Sequence, residues 1–335
     1  MDAIKLYKRN IVENKNLVLF SILLTIVIRL VIFYFTDANH HDKYIGEGYL
    51  WTEKLTSFLS SGTISFTIST LFVFAISFYA SQLNAKHGLI RSRTYLIYIF
   101  GSLILSSHPV FIYMTPYYVS TLAFLICTDL LYSSYQDKTG NRNAYAIGFV
   151  IGASSLFSFY FLMYLPIFWI GFSLMRIFKF KNLIISILGV ATIYWLTFVF
   201  FLWQNNISGF LYPFEQLYPL LNNSIETISL LGEGLLVAIA LILLIIISLD
   251  YQANSFRDKI RIRANIQFLH ITSLFSIIAF FFLILDSTLN LYILSCSITI
   301  LLAHFFTLAE QKWKIIIFYI LILIYFSCCL FNLLN

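Results

Sequence analysis

Apolar runs of about 17 residues or more recur from one end of the chain to the other, each closed by a short polar segment, and that length suits the hydrocarbon core of a bilayer. They fall at 17–35, 64–84, 94–110, 117–134, 144–160, 161–176, 183–203, 229–249, 266–285, 290–308 and 315–333. The pattern predicts an all-α, polytopic transmembrane helix bundle of about 11 spans, occupying the chain as one transmembrane domain, 1–335. Two longer connections stand apart, an outer loop at 36–63 and a second at 204–228. The runs at 144–160 and 161–176 are expected to form a hairpin of two short helices, because one continuous helix would reverse the side of every later connection.

Charge gives the pattern a direction. Eighteen of the 21 Lys and Arg collect at the N-terminus and on alternate connections, as in Lys86, Arg91 and Arg93 or Arg257, Lys259, Arg261 and Arg263. The other connections hold only Lys43 and Lys54, and Arg29 lies inside the first run. Lys and Arg are retained on the cytoplasmic side of a membrane, so the expected threading is N-terminus in and C-terminus out, multi-pass, in a bacterial inner (cytoplasmic) membrane. The first run is longer than a signal-peptide core and lacks a small-residue cleavage site, which reads as a retained helix.

Composition agrees, with 60% hydrophobic and 11% charged residues where soluble domains carry roughly 25% charged. The formal charge of +6 follows from topology and gives no reason to expect nucleic acid as a partner. Cys127, Cys296, Cys328 and Cys329 lie inside apolar runs and form neither a disulfide framework nor a zinc-like spacing. All five prolines fall in outer connections or at the outer end of a run. Aromatic, amphipathic stretches around Trp51 and Phe210 are of the kind that lies along an interface.

The first outer loop concentrates the candidate chemistry in Asp37, His40, His41, Asp42, Glu47 and Glu53. Asp37 and Asp42 suit a general base, and carboxylates and imidazoles together suit a divalent cation beside a lipid phosphate. Arg29, His40, His41 and Trp51 are the candidate substrate-binding residues. The bland alternative is a solvated acidic loop on the side where acids are tolerated. Arg29 is the sharpest single residue, because a cation within a span faces a partner, a cavity or the headgroups. Asp129 and Glu233 have structural readings, pairing with a base and exposure at a helix end. His270 and His304, on adjacent runs, are compatible with a metal or a proton relay but more often are hydrogen-bonded structural residues. No metal site, P-loop, GxGxxG, HExxH or GxSxG is present in the sequence, which disfavours nucleotide-driven and protease chemistry.

The stretch from His108 to Leu196 resembles an uncharacterised family of polytopic inner-membrane proteins of Bacteroidota. The resemblance rests on His108-Pro109 through Thr115-Pro116-Tyr117-Tyr118, on Ala153-Ser154-Ser155-Leu156-Phe157 with Pro166 and Trp169, and on Leu174-Met175-Arg176-Ile177-Phe178. Where that family often has Pro after the Arg, this chain has Ile177. The resemblance implies location and topology and no activity. A second likeness, of architecture alone, is to GT-C-type glycosyltransferases, whose acidic first outer loop corresponds in place to Asp37 and Asp42 here. It implies an envelope-biogenesis enzyme using a polyprenyl-phosphate-linked sugar, a reading compatible with a divalent cation; no cofactor is otherwise expected. The alternatives are a non-catalytic scaffold docking an envelope protein and, third, a transporter, for which inverted repeats and mid-span Gly or Pro breaks are missing.

Overall fold

The computed structural model describes residues 3–35, 48–137, 139–215, 232–282 and 287–334. Among them there is no strand. The helices are α1 (Ala3–Tyr7), α2 (Asn16–Phe35), α3 (Glu53–Leu59), α4 (Gly62–His87), α5 (Leu96–Ile104), α6 (Pro116–Ser133), α7 (Asn141–Ser155), α8 (Leu165–Leu174), α9 (Phe180–Trp203), α10 (Ile207–Glu215), α11 (Glu233–Asn254), α12 (Ile260–Phe282), α13 (Ser287–Thr307) and α14 (Lys312–Leu334). Seven of these, α2, α4, α9, α11, α12, α13 and α14, are long and apolar enough to cross a membrane. The chain is therefore a multi-pass membrane protein.

Local chemistry sets the helix ends. Gly88 closes α4 in the left-handed conformation, φ 60°, its N–H bonding Asn84 O at 2.8 Å, a cap that glycine adopts without a Cβ penalty. Pro116 starts α6 after Thr115, where a missing N–H costs nothing. The run at 94–110 yields a helix of only nine residues, α5. Pro109 has no N–H to continue it, and the Ser106 and Ser107 hydroxyls turn back onto Ser102 O and Ile104 O at 2.7 and 2.8 Å. Residues 105–115 then cross the bundle interior as irregular backbone, nearly all of it buried.

The core is built around α13, in which every residue from Thr288 to Thr307 is buried. Polar side chains along it find partners in neighbouring helices, as buried groups generally do: Ser297 meets Ser273 of α12 at 2.8 Å, and Asn290 accepts from Tyr164 at 2.7 Å. The chain turns at 156–158, and the Gln136 N–H bonds Met175 O at 3.0 Å, so α7 begins where α8 ends and the pair is a hairpin. α7 and α9 touch backbone to backbone. A Cβ added to Gly148 would lie 1.9 Å from Ser186 O, and one added to Gly189 2.4 Å from Tyr145 O.

Two ends are defined by the contacts. At one, Tyr7 reaches Phe306 O, Tyr95 N–H reaches Val12 O, Arg91 pairs with Asp258 and Arg257 with Glu310. These are the connections that carry the bases. At the other, Leu50 N–H bonds Leu156 O, Tyr49 bonds Phe210 O and the Met114 N–H bonds Ser65.

Candidate functional site

The acidic loop expected to carry chemistry lies outside the described residues from Asp37 through His40, His41, Asp42 and Glu47. The chain from Gly48 onward is fixed to the bundle. Gly48 lies so close to the 156–157 backbone that a Cβ would sit 2.4 Å from Leu156 O, and Leu50 N–H bonds the same carbonyl at 2.8 Å. Trp51, expected in an interfacial belt, is instead 3% exposed, because this anchoring turns its ring inward. Glu233, expected exposed at its helix end, is buried at 8%.

Arg29 is completely buried. Its Nε donates to Thr70 Oγ1 at 2.9 Å, its Nη1 to Leu105 O and Phe111 O at 3.2 and 2.9 Å, and its Nη2 to Ser69 Oγ and Ile112 O at 2.6 and 3.0 Å. Five N–H groups thus meet five acceptors, all that a guanidinium offers. Leu105 closes α5 and Phe111 ends a single 3-10 turn, so the cation caps carbonyls that irregular backbone in the bundle cannot satisfy itself. The sequence points Arg29 toward headgroups or a donor phosphate; its five partners are instead two hydroxyls of α4 and three carbonyls of the 105–112 segment of its own chain.

At the base-rich end Asp129 helps to join three helices. It accepts from Lys86 at 2.8 Å, from His87 Nε2 at 2.6 Å and from Tyr79 at 3.3 Å. Arg261 Nη2 lies 3.2 Å from His87 Nδ1 and 3.0 Å from Tyr132 O. Because a guanidinium only donates, this geometry assigns Nδ1 as the acceptor and Nε2 as the proton-bearing nitrogen. The ring therefore relays α12 to α6 as a neutral imidazole, a fastening between helices.

A second polar cluster encloses space. Arg91 Nε and Nη2 both reach Asp258 Oδ1 at 2.7 Å, Lys314 reaches Asp250 at 2.7 Å and Arg257 reaches Glu310 at 2.5 Å. These pairs wall a cavity of about 230 Å3, closed on its inner side by Tyr251, His304 and Phe305. Burial pushes the Asp258 carboxyl up, but the neighbouring His304 and Arg91 outweigh it and hold the group below the usual carboxylate range. Tyr251 stacks on His270 with centroids 5.4 Å apart and meets His304 edge-on at 5.8 Å. Tyr251 also lines a groove of about 690 Å3 between α11 and α12, apolar through Leu244, Leu274 and Ile278. The structure thus brings His270 and His304 together through one tyrosine, at a junction of polar cavity and apolar groove.

Sequence reasoning attached no weight to Asp250, Tyr251 or Asp258. The signal lay in carboxylates set among bases on the side that otherwise collects positive charge. Among the described residues no three His, Cys, Asp or Glu side chains are arranged to hold a metal ion. The four cysteines are free and buried. The fold and this site define an all-helical, multi-pass membrane protein with a half-polar, half-apolar recess at its base-rich end. No protein-family model, curated protein or solved structure matches the chain.

Proposed function

We propose that this is an eleven-span protein of the bacterial inner membrane, N-terminus and basic connections in the cytoplasm, that works on an amphiphilic envelope lipid admitted sideways from the bilayer. One observation carries the reading: Tyr251 lines both the polar cavity and the apolar groove. A water-soluble substrate has no use for a groove between two apolar helices, whereas an amphiphile needs both compartments in contact. Transport across the membrane finds less support, since the cavity sits at one end and α13 fills the centre. The outer-face transferase reading uses Asp37 and Asp42, which lie outside the described residues, and nothing among the described residues adds to it.

A photoreactive residue in place of Leu274, in the groove, is compared with one in place of Leu323, which faces outward from α14 at 67% exposed. The proposal predicts one dominant lipid class cross-linked at position 274 and the bulk lipid mixture at 323, read by mass spectrometry. The same mixture at both positions removes it.

A further inference from the structure

The unsatisfied atoms around Tyr251 tell what the recess lacks. Tyr251 and His304 are 8% and 7% exposed, and neither the Tyr251 hydroxyl nor His304 Nε2 has a hydrogen-bond partner among the described residues. His304 Nε2 stands 3.6 Å from Asp258 Oδ2, beyond a good hydrogen bond. His270 Nδ1 lies 2.9 Å from Ile266 O, an acceptor, so Nδ1 bears the proton, and the unpartnered Nε2 of a ring that lines the groove is itself an acceptor and calls for a donor, not an anion. The Nε–H of Arg263, an electrostatic neighbour of Tyr251, is also unpartnered. Each carboxylate of the cavity, by contrast, already holds a base of its own. Arg263, which lines neither the cavity nor the groove, adds a fourth cation near Tyr251 to the three that the carboxylates already match.

What is missing is a cluster of acceptors with negative charge, and it must come with an apolar tail, since the groove leads out between α11 and α12. We infer that the occupant is a lipid with a phosphate headgroup, the phosphate beside Tyr251, His304 and Arg263 and the tails along the groove. This rests on the proposed amphiphile and adds its chemical class. A fatty-acid carboxylate fits less well, because its two oxygens serve fewer of these converging donors than a tetrahedral phosphate and leave most of the 230 Å3 cavity unfilled. Ser248 and Gln252 of α11 and Gln267 of α12 line the polar end of the groove, at the depth where a glycerol or first isoprene unit would pass from phosphate to tail.

The test uses purified full-length protein in detergent micelles and measures binding of a phosphatidic acid with a photoreactive tail. Competitors are phosphatidic acid, diacylglycerol and fatty acid with the same chains, and inorganic phosphate. Phosphatidic acid is expected to compete best. Tyr251→Phe and Arg263→Gln are each expected to weaken binding about tenfold, the range for a hydrogen bond to a charged group, with unfolding temperatures like the wild type. Lys181→Gln, exposed and remote on α9, should bind normally. Equal competition by diacylglycerol or fatty acid overturns the phosphate while leaving the amphiphile in place. Competition by inorganic phosphate as strong as by the lipid overturns the lipid source. Absence of cross-linking with any tail removes both proposals.

Discussion

Replacing Arg29 by Met is expected to cost most of the protein's stability. The substitution keeps an unbranched apolar stem but removes the five hydrogen bonds of a fully buried cation and orphans Leu105 O, while Phe111 O keeps the Tyr118 hydroxyl and Ile112 O keeps the Ser69 hydroxyl. A hydrogen bond to a charged group contributes about 1.5–3 kcal/mol, so losing five of them is on the order of 5 kcal/mol or more, comparable with a domain's whole net stability. Arg29→Lys should fall between the two, since an ammonium has three donors and no planar fork. Thermal unfolding in detergent and abundance in the membrane fraction read the effect. A wild-type melting temperature for the Met variant would show that the clamp does not hold the 105–115 segment.

Gly148→Leu is expected to be nearly as damaging by a different route. The approach of α7 to α9 leaves no room for a single carbon, the neighbour being the Ser186 backbone at 1.9 Å from the added Cβ. A flexible side chain could move aside; a helix backbone cannot without separating the pair. Overpacking ordinarily costs about 1–3 kcal/mol, and a side chain driven into a helix backbone belongs above that range. Gly152→Ala, whose Cβ would meet Val190 Cα at 3.2 Å, should be much milder. Equal unfolding temperatures for the two variants would contradict the contact.

These effects show where the sequence was legible. Seven of the eleven apolar runs fall on helices long and apolar enough to cross a membrane, because bilayer thickness fixes run length, whereas the run at 94–110 yields only the nine residues of α5. The hairpin at 144–176 was also within reach, since a single helix there would have scattered the bases. Which face of a helix turns inward was not. α13 carries no stronger apolar pattern than its neighbours, yet it is the buried centre, and small residues at Gly148 and Gly152 with Gly189 were the one available sign of close packing. Arg29 stood out correctly as a cation needing a partner, but its partners are carbonyls 76 to 83 positions away, a distance no local pattern spans. The recess at Tyr251 stayed hidden for a related reason. Asp250, Asp258 and Glu310 are each unremarkable loop or helix-end acids until folding sets a base against each one.

The proposed lipid site works as described only if the base-rich end is cytoplasmic. The most direct measurement is labelling of introduced cysteines in intact cells with a membrane-impermeant maleimide. The native cysteines are buried and contribute little background. Lys259→Cys at the base-rich end and Gln204→Cys beyond α9, both exposed positions, report the two sides. A cytoplasmic base-rich end predicts labelling of position 204 in intact cells and of position 259 only after permeabilisation. Labelling of position 259 in intact cells, with 204 protected, would contradict it.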